Sequence, residues 1–167
     1  MNVLTHAKAA LDVAGKGLSQ QERNLLIVGS IIPDLADFGV VDEAETHTRG
    51  LNFLKYVDKK YRNFAIGMIL HGEEPKGLDY YTHNGFYKPG GTYAKHDGSG
   101  GIIAKEENEM KSIIQLYSKS MGKIDLDSAI HIVTEMCFDH LTASKYPALQ
   151  GEVYNAIRGA AANPATM

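Results

Sequence analysis

FAIGMILHGEEPKGLDYYTH, residues 64–83, is the stretch on which the reading of this chain turns. Phe64, Gly67, Met68 and His71 recur at i, i+3, i+4 and i+7, the spacing of one face of an amphipathic helix, so the run predicts a packed helix carrying an imidazole inward near its end. Asp79 and His83 lie four apart. A helical turn over 78–84 would stack that carboxylate beside the imidazole, an arrangement in which one helix grips a divalent ion. A single histidine on an apolar face is more often a hydrogen-bonded core residue. The balance shifts because four other places in the chain repeat the pattern.

Toward the N-terminus, Leu51, Leu54 and Val57 or Tyr61 predict a helix over 48–61, which puts His47 at a helix entrance behind an acidic loop, 38–46. Further back, Ser19 and Glu22 form a capping box for a largely buried helix over 24–32 that Pro33 ends, with Asp34 just past the stop. Thr5 is the expected cap of a helix over 6–14 terminated by Gly15 and Gly17, so His6 falls in its first turn.

Toward the C-terminus, 85–101 is rich in Gly, Lys and Tyr without a clear period and reads as a long loop. An amphipathic helix is expected over 102–120, with Ile103, Met110, Ile113, Ile114 and Tyr117 inward and Gly122 after it. Asp127 is the expected cap of a helix over 128–142, on which His131, Glu135 and Asp139 form one stripe and Ile130, Val133, Cys137 and Leu141 an apolar one. Pro147 suits the first turn of a last helix ending near Ala160, and the tail NPATM should fray. No alternating strand pattern competes and no repeat appears. The expectation is an all-α fold, one domain over 1–167, built as a bundle of about six or seven helices with a metal cluster in its core.

Composition sets what such a bundle can do. The chain has 167 residues, 44% of them hydrophobic, enough for a sizeable core. A formal charge of -3 and a pI near 6.1 give no basic field, which disfavours long nucleic acid as a partner but leaves a small phosphate ester open. No leader pattern and no apolar run of membrane-spanning length is visible, so the expected place is the cytoplasm. Cys137 is the only cysteine. An internal disulfide and a thiolate zinc site are thereby excluded, and any metal must be held by His, Asp and Glu.

His6, Asp34, His47, His71, Asp79, His83, His131 and Glu135 are dispersed over most of the chain, yet each falls at a helix face or end. That is how a buried multi-metal site in a bundle is encoded. Imidazole and carboxylate together suit zinc, with iron, manganese or nickel compatible. The strongest local piece is His131-x-x-x-Glu135, whose i and i+4 side chains need no loop rearrangement to reach one ion. Its bland alternative is a solvated polar face, which would more usually carry lysines.

In order as well as content, these residues resemble the zinc-dependent phospholipase C family, whose superfamily includes single-strand-specific nucleases. The resemblance rests on Thr5-His6, a Gly-x-x-x-Pro-Asp element (Gly29 to Asp34), Thr46-His47, Gly67-x-x-x-His71, Asp79 with His83, and a final His131-x-x-x-Glu135. It spans about residues 5–140. It implies a helical fold, a cluster of two or three zinc ions and hydrolysis of phosphodiester bonds, with Asp79 as bridging carboxylate and Asp34 as a ligand or the group orienting the attacking water. In the family the bridging Asp usually comes four residues after the helical His. Pro75 stands there in this chain, so either Asp79 or Glu74 takes the role. The processed amine that secreted members use as a ligand has no evident counterpart.

The chemistry expected is metal-assisted hydrolysis of a phosphoric ester, in which bound zinc brings the pKa of a bridging water toward ~7 and offsets phosphoryl charge. No Gly-x-Ser-x-Gly elbow competes. Tyr80, Tyr81, Phe86 and Tyr87 could wall a choline-like headgroup or a nucleotide base, although such aromatics are more often core. The Gly98-Ser99-Gly100-Gly101 segment reads as a plain flexible turn. Two other readings stay open: an HD-type metal-dependent phosphohydrolase, whose adjacent pair is poorly placed at His96-Asp97 and reversed at Asp139-His140, and a non-catalytic helical binding domain that metals only stabilise. Helix faces shared with a second copy of the chain, giving a homo-oligomer, are compatible with either.

Overall fold

The structure is a computed structural model and describes residues 2–83 and 126–162. The expected loop over 85–101, the expected helix over 102–120 and the tail NPATM lie outside the described residues. Among those described there is helix and no strand, so the fold is all-α. The chain divides into two compact units, one formed by Asn2–Tyr80 with Phe138–Met167, the other by Tyr81–Cys137 with Met1. Among the described residues no helix is long and apolar enough to cross a membrane.

Helix α1 (Val3–Ala14) starts earlier than its sequence suggests, with Asn2 at the N-cap. Thr5, the expected cap, sits inside it. The cap is supplied from far away: Asp139 accepts the backbone N–H groups of Leu4 at 3.2 Å and Thr5 at 2.9 Å, and the Thr5 hydroxyl at 3.0 Å. A carboxylate at the positive end of the helix satisfies two donors that α1 cannot satisfy itself.

Helix α2 (Gln20–Ile31) opens on the expected capping box, Ser19 N–H donating to Glu22 Oε2 at 2.9 Å and Glu22 N–H to Ser19 Oγ at 3.4 Å. Leu25 through Ile31 are all buried. Pro33 does not end the coil outright. It lies in the first turn of a 3-10 helix (Ile32–Phe38), where its missing N–H costs nothing, and the coil closes on Gly39 at φ 66.

An acidic loop was expected next, and the structure has helix α3 (Glu43–Thr48) instead. Asp42 caps it by accepting Glu45 N–H at 2.9 Å, and Glu43 and Glu45 in the first turn complement its dipole. His47 consequently lies in the last turn of α3 and not at the entrance of the following helix. The single helix expected over 48–61 is split into α4 (Gly50–Tyr56) and a 3-10 turn (Lys59–Tyr61). Asp58 causes the break, since its side chain accepts Lys60 N–H at 2.9 Å and restarts the chain after an extended Val57.

Helix α5 (Arg62–His71) matches the expected span, and α6 (Leu78–His83) is the expected turn around Asp79. The backbones of α2 and α5 touch: a Cβ at Gly29 would stand 2.0 Å from the Phe64 carbonyl oxygen, and one at Gly67 2.3 Å from that of Leu26. Only glycine permits this approach, and it brings the end of α5 beside Ser30.

Helix α7 (Leu126–Lys145) and helix α8 (Pro147–Ala162) complete the described chain. Asp127 lies inside α7, not before it. The face assignment also differs from expectation, for Cys137 is exposed and Leu141 is 62% exposed, whereas Glu135 is buried and Asp139 half-buried. For Asp139 the reason is plain, because α1 offers it three donors. In the unit that holds α1, α2 and α8, the core is Ala7, Ile27, Val28, Ile31, Leu149, Val153 and Ala156. Arg23 ties α2 to α8 through Glu152 Oε1 at 2.8 and 2.6 Å.

Candidate metal centre

Five segments of the first unit deliver one side chain each to a common point: His6 from α1, Asp34 from the 3-10 helix, His47 from α3, His71 from α5 and Asp79 from α6. His71 and Asp79 are 0% and 1% exposed, and His6 3%. Asp79 is the hub. Its Oδ2 lies 3.0 Å from His71 Nε2 and 3.4 Å from His47 Nε2, and its Oδ1 lies 3.3 Å from His6 Nε2. Asp34 Oδ1 is 3.8 Å from His71 Nε2. The His6 and His71 rings stack at 3.8 Å between centroids, and His47 meets His71 edge-on at 5.0 Å.

The backbone holds the rings in place from behind. His71 Nδ1 donates to the Ser30 carbonyl at 2.8 Å, a contact made available by the Gly29–Gly67 crossing. His47 Nδ1 donates to the Glu43 carbonyl at 3.0 Å within α3. The end of α3 is itself clamped, since the N–H groups of Glu73 and Glu74 donate to the His47 carbonyl at 2.8 and 3.0 Å. Gly72 makes room for that clamp, as a Cβ there would be 2.5 Å from the same oxygen.

A carbonyl oxygen can only accept, so the Nδ1 of His71 carries the proton of the neutral ring and Nε2 faces Asp79 with a bare lone pair. Burial, with the neighbouring His6, pushes His71 below its usual imidazole value. A neutral ring therefore points a lone pair at a carboxylate, and an extra proton or a cation must mediate the contact. His47 behaves differently: burial lowers it, but Asp79 and the Glu43 carbonyl outweigh burial and raise it overall. Burial would also raise Asp79, yet the facing imidazoles of His47, His6 and His71, in their protonated form, hold it well below the ordinary carboxylate range.

These groups could hold a metal ion. The ligand atoms of His6, Asp34 and His71 lie within 4.8 Å of one another, and so do those of His47, His71 and Asp79. Two ligands at about 2.1 Å in tetrahedral array stand about 3.4 Å apart, which the Asp79 separations approach. His71 Nε2 and Asp34 Oδ2 are buried with no hydrogen bond, as is His6 Nδ1. Buried polar atoms of this kind call for a partner.

Of the eight residues expected to bind metal, five thus converge. His83, His131 and Glu135 belong to the other unit, Tyr81–Cys137. The side chains of His83 and His131 lie outside the described residues, and Glu135 is 4% exposed. Glu74 is exposed, whereas Asp79 is buried at the hub of the three imidazoles. Tyr80 is half-buried with the Lys76 ammonium 4.6 Å above its ring, Tyr81 is 58% exposed, and Phe86, Tyr87, His96 and Asp97 lie outside the described residues. Asp139 is engaged with the start of α1, so the reversed Asp139-His140 pair is not a second centre in this unit.

Sequence reasoning missed Ser30 and Glu43, which act through backbone carbonyls and leave no side-chain signature. Compared with protein-family models, with curated proteins and with solved structures, the chain finds no match in any of the three.

Proposed function

We propose that this protein is a metal-dependent hydrolase of phosphoric esters, a phospholipase C-like phosphodiesterase working through a metal-activated water. The single observation that supports this reading is the convergence of three imidazole Nε2 atoms on the two oxygens of a buried Asp79, with Asp34 alongside. When bound there, two or three zinc ions would supply Lewis acidity to a water and to the phosphoryl oxygens. Iron, manganese or nickel suits the same donors. His6, His47 and His71 would hold an ion through Nε2, and Asp79, with one oxygen toward His6 and the other toward His47 and His71, would supply carboxylate ligands. Asp34 keeps its Oδ2 free of hydrogen bonds, so that oxygen is available to orient a water or to take its proton. Tyr80 follows Asp79 directly and would face the leaving group, a phospholipid headgroup or a nucleotide, in a cytoplasmic enzyme.

A specific observation favours a second reading. His71 and Asp79 are almost wholly buried, as befits ions that only pin helices together. Metal analysis and turnover of bis(p-nitrophenyl) phosphate separate the two. Bound metal with turnover that His71→Ala abolishes supports the hydrolase, metal without turnover on diesters or monoesters supports the structural ion, and absence of metal refutes both.

A further inference from the structure

Between the helices that carry His47 and His71 lies a stretch with no part in the metal centre. Residues 50–62, GLNFLKYVDKKYR, form α4, the 3-10 turn and the first residue of α5, and carry four basic side chains against one acidic in a chain of formal charge -3. Asp58, the single acid, turns its side chain to the Lys60 N–H. Lys55, Lys59, Lys60 and Arg62 are all exposed, and among the described residues none of them forms an ion pair, whereas Arg49, just ahead of α4, is paired with Glu45.

One side of α4 is fixed. Gly50 is buried where a Cβ would stand 2.8 Å from Ile69 Cγ1, and the Phe53 ring meets Phe64 edge-on at 6.0 Å, so α4 lies against α5, the helix that ends in His71. The other side is open. Leu51 and Lys55, four apart, share a stripe beside Tyr56, and Leu51 is 55% and Tyr56 77% exposed. Lys55 Nζ stands 5.3 Å from the centre of the Tyr56 ring and Lys60 Nζ 4.6 Å from that of Tyr61, so ammonium groups and aromatic faces are interleaved. The result is an exposed apolar and aromatic surface whose unpaired charge is of one sign.

We propose that this face, α4 with the 3-10 turn after it, docks the protein on an anionic phospholipid surface, Leu51 and Tyr56 entering the headgroup layer while Lys55, Lys59 and Lys60 meet the lipid anions. Each Lys or Arg near such a surface contributes about a five-fold gain in partition, and apolar side chains supply the second attraction that stable anchoring needs. Tyrosine suits that depth, with its ring toward the acyl chains and its hydroxyl in the headgroups. A protein partner fits less well, because lysine is depleted from protein interfaces. Single-stranded nucleic acid would use the lysines and tyrosines but not Leu51, which neither stacks on a base nor meets a phosphate. The proposal deepens the phospholipid-hydrolase reading by giving it a surface to work from, but docking itself needs no metal.

The test uses the full chain in chelator, with vesicles of phosphatidylcholine alone or of phosphatidylcholine and phosphatidylserine in equal parts. Because the chain has no tryptophan, Tyr56→Trp provides a single reporter. The protein should sediment, and the reporter emission should shift to the blue, with the phosphatidylserine vesicles and not with phosphatidylcholine alone. Lys55→Gln, Lys59→Gln and Lys60→Gln combined should weaken that partition by about 100-fold, three charges at about five-fold each. Leu51→Ser should weaken it too and reduce the blue shift. All of these positions are exposed, so the variants should melt as the wild type does. No sedimentation with phosphatidylserine vesicles, or sedimentation unchanged in the triple lysine variant, overturns the proposal. Lysine-dependent binding of an oligothymidylate with no blue shift on vesicles overturns it as well, in favour of nucleic acid. Vesicle binding without phosphodiester turnover would sustain docking and remove the hydrolase; turnover without vesicle binding would do the reverse.

Discussion

Asp139 and Thr5, 134 residues apart in the chain, are joined twice: Asp139 Oδ1 accepts both the backbone N–H of Thr5 at 2.9 Å and its hydroxyl at 3.0 Å. This contact sets α1, and with it His6, against the helix that runs on to α8. Asp139→Ala strands the Leu4 and Thr5 N–H groups and removes a carboxylate from the helix dipole, so it should cost about 1–2 kcal/mol. Denaturant unfolding measures it, and an unchanged midpoint would show that water caps α1 equally well.

The contact between Gly29 and Phe64 carries a steeper expectation. Gly29→Ala places a methyl 2.0 Å from a backbone oxygen, which a rotamer change cannot relieve. Forcing α2 and α5 apart should cost upwards of about 1–3 kcal/mol, the usual range for overpacking. It also moves His71 from the Ser30 carbonyl, so metal uptake should fall together with the melting temperature. Wild-type metal content in a destabilised Gly29→Ala protein would mean that the crossing does not position the site.

Metal should stabilise the fold by mass action. Ions that bind only the native state at 100 times their Kd add about 2.7 kcal/mol, so the wild-type protein should melt several degrees higher with Zn²⁺ than with chelator. His71→Ala removes the ligand common to both trios and should abolish that difference. Differential scanning calorimetry with and without chelator reads it directly, and a persisting shift would place the ion elsewhere.

Acid dependence of the chelated protein follows from His71, His47 and Asp79. His71 is pushed below its ordinary 6.5 by burial and by His6, so below that pH the unfolded chain takes up a proton that the folded ring refuses and stability falls. Asp79 is held below its ordinary 3.8, so its contribution is present above that value and is lost as acid is added further. His47 is raised; its contribution is complete below 6.5 and fades as pH climbs through its folded value. Together these three predict a stability maximum near pH 6.5 for the metal-free protein, declining on both sides. Urea midpoints across pH 4–9 would contradict this if they rose steadily on either side of neutrality.

Much of the helical architecture was legible in the chain. Ser19 with Glu22 announced α2, and the Phe64–Met68–His71 spacing announced α5, because hydrophobic period and capping chemistry are local properties. So were the donor types: with a single cysteine, only imidazole and carboxylate remained as ligands. Local signals failed where a short acidic stretch could be loop or helix, as at α3, and where Asp58 could outbid the helix around it.

What only the tertiary structure decided is which side chains meet. Asp79 rather than Glu74 became the hub because the clamp on the His47 carbonyl turns the chain between α5 and α6. Asp139 left its expected stripe of ligands to cap α1, since two unsatisfied N–H groups and a hydroxyl await it there. Ser30 and Glu43 serve through backbone oxygens that any residue carries. Convergence of this sort depends on two glycines letting helices touch, a long-range geometric fact that no periodicity along the chain encodes.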